Sequence, residues 1–144
     1  MTTLVIEELL DTLYQDFTVK VNTIVDSIRL NLYMHNSPSG TFTVNLKEDA
    51  TTIATKAYTA AEIETLAGFT ANQYHHGYFT FEFDSHYPIK RNTTYRIELT
   101  SSGYSFSESA YIAWIRPHEN GFNNSTIDLT DAANNPFGYQ VWSL

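Results

Sequence analysis

Apolar and polar residues alternate with a period of two along much of this chain, and this alternation constrains the fold more than any other feature. Between Ile28 and Met34 every second residue is apolar. The same pattern returns in residues 42–46, 79–83 and 95–99. A strand with one buried face produces this period, whereas an amphipathic helix repeats its apolar residues about every 3.6 positions. We therefore predict that strands form the core.

Shorter segments rich in Val, Ile, Thr and aromatic residues complete the set of predicted strands. They lie at residues 14–19, 51–59, 110–116 and 137–143, which brings the total to about eight. Eight short strands in a chain of 144 residues are typical of two packed sheets. The predicted fold class is all-β: an antiparallel two-sheet β-sandwich, jelly-roll-like, with about eight strands and one short helix.

Turn and cap signals predict how these strands are joined. Ser37-Pro38-Ser39-Gly40 is a turn sequence, since Pro fixes φ and Gly allows positive φ, so the strands on either side of it are predicted to form a hairpin. Thr59 followed by Glu62 is typical of a helix start, and this helix is predicted to end before Gly68. Two loops are predicted, at residues 86–92 and 118–135.

The chain has the length of one ordinary domain, and no linker, repeat or low-complexity segment divides it. We assign residues 13–144 to a single β-sandwich domain. Residues 1–12 do not alternate, and they form either an edge segment that closes the sandwich or an N-terminal arm that docks on a neighbouring subunit. In the second interpretation Leu4, Val5 and Ile6 are candidate interface residues.

The net charge of −8 argues against two classes of partner. Nucleic-acid binding depends on Lys and Arg contacts to phosphate, and here 16 acidic residues outnumber 8 basic ones. Anionic membrane surfaces repel such a chain for the same reason, and no apolar run approaches the ~18 residues of a membrane span. We predict no nucleic-acid partner and no membrane partner.

Cysteine is absent from the sequence, which removes thiol catalysis, thiolate zinc sites and disulfides. The opening Met1-Thr2-Thr3-Leu4 carries no basic residue, and acidic residues follow at once, so we expect no secretory signal. Export would then need another route, such as cell lysis.

No set of residues in the sequence matches a known catalytic constellation. A Gly-rich phosphate loop, a His-Glu-x-x-His motif and a nucleophile elbow are all missing. Glu82 and Asp84 share the polar face of a predicted strand, at a spacing that would suit a glycosidase pair but that solvated strand faces show routinely. We predict that the protein is not an enzyme and needs no cofactor. Calcium stays open as a ligand, because residues 123–135 are rich in Asn and Asp oxygens.

Aromatic residues are the most unusual part of the composition, with ten Tyr and two Trp. Such rings are typical of sugar-stacking platforms and of protein interfaces, and they also pack half-buried on ordinary strands. The tyrosines at polar-face or loop positions are candidates for glycan stacking: Tyr33, Tyr74, Tyr78, Tyr87 and Tyr104.

The strand at residues 111–115 has two apolar faces, so its register decides what remains outside. One register places Tyr111, Ala113 and Ile115 inward and leaves Ile112 and Trp114 on the other face. If the chain does not cover that face, a partner must. Ile112 and Trp114 are therefore candidate interface residues, and Trp142 near the C-terminal end is a third.

Four segments resemble a jelly-roll domain that recurs in virion proteins of tailed bacteriophages. They are Ser27–Val44 with its Ser-Pro-Ser-Gly turn, Lys90–Tyr95, Tyr111–Asn120 and Phe137–Trp142. The resemblance covers most of residues 13–144, although similar sandwiches also occur as carbohydrate-binding and surface-anchored bacterial domains. It implies a fold and a place in a phage particle, and it carries over no catalytic residue.

The residues and the resemblance together lead us to expect a non-enzymatic virion structural protein of a tailed bacteriophage. It would be an accessory or decoration subunit on the capsid or tail exterior, made in the host bacterial cytoplasm. Its expected partners are other virion proteins, namely capsid or tail subunits, and further copies of itself in a homo-oligomer. The alternative is a carbohydrate-binding module or host-surface adhesin domain that binds a glycan through exposed rings.

Overall fold

The computed structural model describes residues 4–19, 22–69, 74–117, 126–128 and 139–143. Within these ranges the chain forms ten strands and one helix. The strands are β1 (Leu4–Glu8), β2 (Leu13–Thr18), β3 (Thr23–His35), β4 (Thr41–Glu48), β5 (Thr51–Thr59), β6 (Tyr74–Ile89), β7 (Tyr95–Ser102), β8 (Tyr111–Pro117), β9 (Thr126–Asp128) and β10 (Tyr139–Ser143). The helix, α1 (Ala60–Ala67), lies between β5 and β6. The predicted all-β fold class is confirmed.

Eight of the strands pair in a nested order: β1 with β8, β2 with β7, β3 with β6, and β4 with β5, all antiparallel. Further antiparallel ladders join β3 to β8 and β4 to β7, so the nested strands form two sheets. Their orders are β1-β8-β3-β6 and β5-β4-β7-β2, the arrangement of a jelly roll. The prediction of an antiparallel, jelly-roll-like sandwich is therefore confirmed.

The two remaining strands extend the sheets. Strand β10 lies antiparallel to residues 25–30 of β3, on the edge that β8 occupies further along at residues 32–35. Strand β9 runs parallel to β2 and so makes the one parallel ladder among the described strands. It falls inside the stretch 118–135 that the sequence pattern predicts to be a loop; the rest of that stretch lies outside the described residues.

The core lies between the two sheets and contains the apolar members of the alternating segments. From one sheet come Ile28, Leu30, Leu32 and Met34 of β3, and from the other come Phe42, Val44 and Leu46 of β4. Trp114, Tyr95 and Phe17 are among the largest fully buried side chains. Removing this apolar surface from water is the main contribution that holds the sheets together.

The predicted hairpin around Ser37–Gly40 is wrong, because β3 and β4 belong to different sheets. Residues 36–40 carry the chain from one sheet to the other, and Pro38 is buried in this crossover. The hairpin is instead formed by β4 and β5, which are joined by Asp49 and Ala50. Alternation identifies which face of a strand is buried, but it is the same for strands that lie side by side and for strands that face each other across a core.

The predicted register of residues 111–115 is also wrong. Trp114 pairs with Leu32 and Ile112 pairs with Met34 in the ladder between β3 and β8, so they share the inward face of these core residues. Both side chains are 0% exposed, so neither is available at the surface of this chain for contact with a partner. Ala113 and Ile115 lie on the opposite face and are buried as well.

Strand β6 continues through residues that the sequence pattern assigns to a loop. Glu82 pairs with Ser27 and Tyr87 pairs with Val25, so residues 83–86 bulge out of the ladder opposite Asp26 alone. Strand pairing then resumes as far as Ile89, which is buried in the core. The predicted loop at 86–92 therefore begins four residues too early, because a bulge interrupts the alternation without ending the strand.

Helix α1 forms where the sequence predicts it. The Thr59 side chain accepts a hydrogen bond from the Glu62 N–H, and the Glu62 side chain accepts one from the Thr59 N–H, which makes a capping box. Gly68 ends the helix in the left-handed conformation with a φ of 75°, a backbone state that favours glycine.

The N-terminal segment lies within the sandwich. Strand β1 forms the outer strand of its sheet through a ladder with β8, and the Leu9 N–H continues this ladder by donating to the Ile112 carbonyl at 3.0 Å. Leu9 itself is fully buried in the core. The first strand of the jelly roll is thus contributed by residues that the sequence pattern left open between an arm and an edge segment.

Candidate functional site

The antiparallel ladders sort the connections into two ends of the sandwich. The first, which we call the loop end, holds residues 9–12, 36–40, 60–69 and 103–110, between β1 and β2, β3 and β4, β5 and β6, and β7 and β8. Backbone bonds tie these connections together, such as the Ala60 N–H donating to the Gly40 carbonyl at 3.0 Å. The second, the groove end, holds residues 49–50, 90–94 and the described part of the connection between β2 and β3.

The loop end carries the two most exposed large apolar side chains of the described residues. Leu10 is 71% exposed and Leu66 is 65% exposed. Leu66 borders two shallow pockets of about 310 and 260 Å³, one along α1 and one that includes Tyr58 and Phe79. Leu10 lies on the β1–β2 connection and Leu66 on the β5–β6 connection, at opposite edges of the two sheets, so they form two separate apolar points at this end.

Helix α1 is anchored in the core by Ala60 and Ile63 and leaves Leu66 of its last turn exposed. Ala60 and Ile63 are buried, and the capping box fixes where the helix begins. Leu66, three positions after Ile63, lies on the same side of the helix, but it belongs to the last turn and is 65% exposed.

A half-buried aromatic patch lies beside the loop end, on the outer face of β3 and β8. Tyr111 is at its centre, with ring centroids 5.9 Å from Tyr33, 5.4 Å from His35 and 5.4 Å from Phe106. The Asn36 side chain also donates a hydrogen bond to the Ser109 carbonyl and so joins two connections beneath the patch. The Tyr33 ring, which the sequence suggests for glycan stacking, therefore packs against another ring of the same chain.

Tyr104 and Tyr87, also predicted as glycan-stacking residues, make structural contacts. The Tyr104 hydroxyl accepts a hydrogen bond from the Ile112 N–H at 3.1 Å, and its ring packs edge-on against Phe42. Burial raises the pKa of the Tyr104 hydroxyl above its ordinary value. Tyr87 packs edge-on against Phe83 in the bulge of β6.

The other predicted positions are placed by their backbones alone. Tyr74 and Tyr78 stand opposite His35 and Asn31 in the ladder between β3 and β6. Trp142 stands opposite Ser27 in the ladder between β3 and β10. The side chains of these three residues, and those of Leu4, Val5 and Ile6 in β1, lie outside the described part of the structure.

A charged groove of about 460 Å³ marks the groove end, on the outer face of the sheet that contains β2, β4 and β7. Its charged lining residues are Asp16 of β2, Lys47 of β4, Asp49 of the β4–β5 turn and Arg96 of β7. Arg96 donates to both carboxylate oxygens of Asp16, at 2.7 and 3.2 Å, and its guanidinium lies 3.7 Å from the centroid of the Tyr14 ring. The hydrogen bond to Asp16 raises the pKa of Arg96, so the groove keeps this positive charge at any physiological pH.

Hydrogen bonds continue from the groove across the sheet. Lys47 donates to one oxygen of Glu98 at 3.3 Å, and Asn45 donates to the other oxygen at 3.3 Å. Asn45 in turn accepts from Thr55 at 2.7 Å. These bonds fix the directions of Lys47, Asn45 and Glu98, because each is held by a neighbour on the adjacent strand.

The groove is the main feature that sequence reasoning missed. Asp16, Lys47 and Arg96 all occupy polar positions of alternating strands, and such charges normally indicate only a solvated face. Their meeting depends on the register, in which Arg96 stands opposite both Asp16 and Lys47. That register is set by long-range pairing, which a single sequence does not specify.

The structure places the acidic pair Glu82 and Asp84, but it describes little of the stretch predicted to bind calcium. Glu82 and Asp84 are both exposed, and Asp84 forms an ion pair with Lys56 at 3.1 Å. No group of three or more His, Cys, Asp or Glu residues among the described ones could hold a metal ion. Most of the Asn- and Asp-rich stretch on which the calcium prediction depends lies outside those residues.

No helix in the described ranges is both long enough and apolar enough to cross a membrane.

No protein-family model matches the chain, and no curated protein matches it.

Proposed function

We propose that this chain is a non-enzymatic structural protein of a tailed-bacteriophage particle, an accessory subunit on the exterior of the capsid or tail. The observation that carries the proposal is the jelly-roll order of the strands, β1-β8-β3-β6 and β5-β4-β7-β2, because this fold is widespread among viral capsid proteins. Lectins and cupins share the fold, so charge and surface must support the choice.

The distribution of charge favours an outward position over one facing packaged DNA. Among the residues whose side chains the structure describes, seven acidic residues are exposed, but only two basic ones, Lys90 and Arg91. The exposed acidic residues are Glu8, Asp11, Asp49, Glu62, Glu82, Asp84 and Glu108. A surface of this sign is repelled by nucleic-acid phosphates and keeps free subunits apart before assembly.

The loop end is the part of the surface that we assign to contact with the particle. Leu10 and Leu66 both lie there, and the pocket along α1 beside Leu66 has room for an apolar side chain of a neighbour. The neighbour is a capsid or tail subunit, or a second copy of this chain in a homo-oligomer. Transferring two exposed leucines out of water favours association in either case.

The internal contacts of the predicted tyrosines favour this function over glycan stacking by the same residues. Tyr33 is stacked on Tyr111, and the Tyr104 ring and hydroxyl are both engaged within the chain. A stacking platform needs ring faces that are open to the sugar. The alternative of a carbohydrate-binding module thus loses support at these two positions.

Quantitative mass spectrometry of particles purified by density gradient tests the proposal. Peptides of this chain should appear at a fixed ratio to the major capsid protein, and mild salt washes should not remove them. If the chain is abundant in lysed cells but absent from purified particles, the assignment to the virion fails.

Variants of the loop end test the contact surface separately. Leu10→Glu and Leu66→Glu should lower incorporation into particles, and Ile24→Glu is the matched control, since Ile24 is an exposed apolar residue at the other end of the sandwich. Equal incorporation of all three variants would refute docking through the loop end while leaving the location in the particle intact. Circular dichroism confirms that each variant is folded.

A further inference from the structure

The charged groove is lined by equal numbers of acidic and basic side chains. Asp16 and Asp49 face Lys47 and Arg96, so its lining is neutral in a chain whose net charge is −8. The negative field of the whole protein disfavours the binding of an anion, and the positive charges of Lys47 and Arg96 disfavour the binding of a cation. The lining therefore matches a polar ligand without net charge.

Acceptors and donors both line the groove: Asp16 is in direct contact with Arg96, and Asp49 and Lys47 lie at the same opening. Carboxylate oxygens only accept hydrogen bonds, and guanidinium and ammonium groups only donate them. A hydroxyl group does both, so a ligand with several hydroxyls can donate to Asp16 or Asp49 and accept from Arg96 or Lys47 in a single binding mode. A hydrogen bond to a charged partner is stronger than one between neutral groups.

The groove retains bonding capacity after its internal pairing. Arg96 has five N–H donors, and within the described residues two of them bind Asp16, which leaves three. Lys47 uses one of its three donors on Glu98. Asp49 and Thr94, two further lining residues, are exposed.

Three of the four side chains that would bind a ligand, those of Asp16, Arg96 and Lys47, are already held in position. Arg96 is held between the Asp16 carboxylate and the Tyr14 ring, and Lys47 is held by Glu98, which Asn45 also binds. Side chains held in this way lose little further conformational entropy on binding. The volume of about 460 Å³ is within the range of small-molecule sites.

We propose that this groove binds a neutral saccharide, with Asp16 and Asp49 accepting from its hydroxyls and Arg96 and Lys47 donating to them. This site differs from the five tyrosines that the sequence suggests for glycan binding. Saccharide binding by this groove does not require that the protein belongs to a phage particle, and it can be tested on the recombinant chain alone. If that assignment also holds, docking through the loop end leaves the groove pointing away from the particle, toward a host surface.

Amide NMR titration with neutral hexoses and N-acetylhexosamines, as monosaccharides and as short oligomers, tests the proposal. We expect millimolar binding that shifts the amide signals of residues 14–16, 47–50 and 94–96. Glucuronate and inorganic sulfate, the charged comparators, should shift them much less. If no neutral saccharide moves these signals, or if the charged probes bind as well or better, the proposal is overturned.

A pair of matched variants locates the site. Asp49→Asn removes a groove carboxylate and keeps a residue that tolerates the positive φ of 53° at this position. Asp11→Asn makes the same charge change at an exposed residue of the loop end. Asp49→Asn should weaken saccharide binding about tenfold with an unchanged melting temperature, and Asp11→Asn should leave binding unchanged. Equal affinities of the two variants would place the saccharide outside the groove and refute the assignment.

Discussion

The two ends of this sandwich are built from the same strands but held by different forces. At the loop end, backbone segments approach closely: a Cβ added to Gly40 would lie 2.7 Å from the Tyr104 Cβ, and large apolar side chains reach the surface. At the groove end, ion pairs and hydrogen bonds cover the outer face of the sheet, from Asp16 and Arg96 to Lys47 and Glu98.

The difference shows that one rigid fold can present two surfaces of opposite chemistry without a second domain. Apolar side chains at one end favour a dry contact with protein, whereas charge pairs at the other end stay solvated and suit a polar ligand. The jelly roll makes this possible because alternate connections emerge at opposite ends. Measurements that affect one end and leave the other unchanged are therefore the most informative.

The largest effect is expected at the crossover of the loop end. Gly40 has a φ of 121°, a region open almost only to glycine, so Gly40→Ala adds backbone strain to the steric conflict with Tyr104. We expect a loss of about 2–4 kcal/mol in the free energy of unfolding, measured by chemical denaturation.

Gly68→Ala is the control for this substitution, since Gly68 also has positive φ but an added Cβ would meet nothing within 4 Å. It should cost about 1 kcal/mol. Equal costs for the two variants would show that close packing at the loop end contributes nothing.

A pair of tyrosines provides the same test at both ends. The Tyr104 hydroxyl accepts from the Ile112 N–H at the loop end, and the Tyr95 hydroxyl accepts from the Lys90 N–H at 2.8 Å at the groove end. Tyr104→Phe and Tyr95→Phe each leave a backbone donor without its partner, and each should cost about 1–2 kcal/mol in denaturation experiments. A cost at only one end would show that only that bond is essential.

The raised pKa values of the Tyr95 and Tyr104 hydroxyls also predict a loss of stability at alkaline pH. Burial raises the pKa of both above the ordinary value of 10.0, so the unfolded chain releases these protons first as the pH rises. The stabilising contribution is fully present below the unfolded pKa and is lost as the pH rises through the folded pKa. The double Phe variant should show a weaker decline as the pH rises through and above the unfolded pKa of 10.0, and an identical decline would contradict the shift.

Thr59→Ala should have a smaller effect, confined to the helix that presents Leu66. It removes the side-chain half of the capping box, which we expect to cost about 1 kcal/mol. Thr59→Ser retains the hydroxyl and is the control. Hydrogen exchange should accelerate in residues 60–67 and not at the groove end; uniform acceleration would mean that α1 unfolds only with the whole domain.

The smallest effect is expected for Arg96→Lys at the groove end. This variant retains the charge but loses the two-point contact with Asp16 and the stacking on Tyr14. The side chain of Arg96 is 37% exposed, so solvent screens the pair and the cost should be at most about 1 kcal/mol, decreasing as salt is added. A large cost that is insensitive to salt would show that packing, rather than charge, holds this end together.

The sequence predicts the strands and the helix more reliably than it predicts their neighbours. Alternation identifies the inward faces of β3 and β4, and Thr59 with Gly68 identifies the ends of α1, because these signals are local. It does not separate a hairpin from a crossover at Ser37–Gly40, nor does it choose the register that places Trp114 inside. Both depend on which distant strand supplies the hydrogen bonds, as does the meeting of Asp16 with Arg96.

The nested pairing also has a consequence for the order in which the molecule forms. Strands β4 and β5 are joined by a two-residue turn, whereas Glu8 of β1 pairs with Ala113 of β8, 105 positions further along the chain. Closing longer loops costs more entropy, so we expect pairing to start at β4–β5 and to spread outward, at the slow rates of folds with distant contacts. Of these nested strands, β1 is the first to leave the ribosome and the last to pair, because its partner β8 is synthesised last. Until it does, the edge of β8 can accept the β1 of another copy, so refolding at high concentration should yield strand-exchanged dimers.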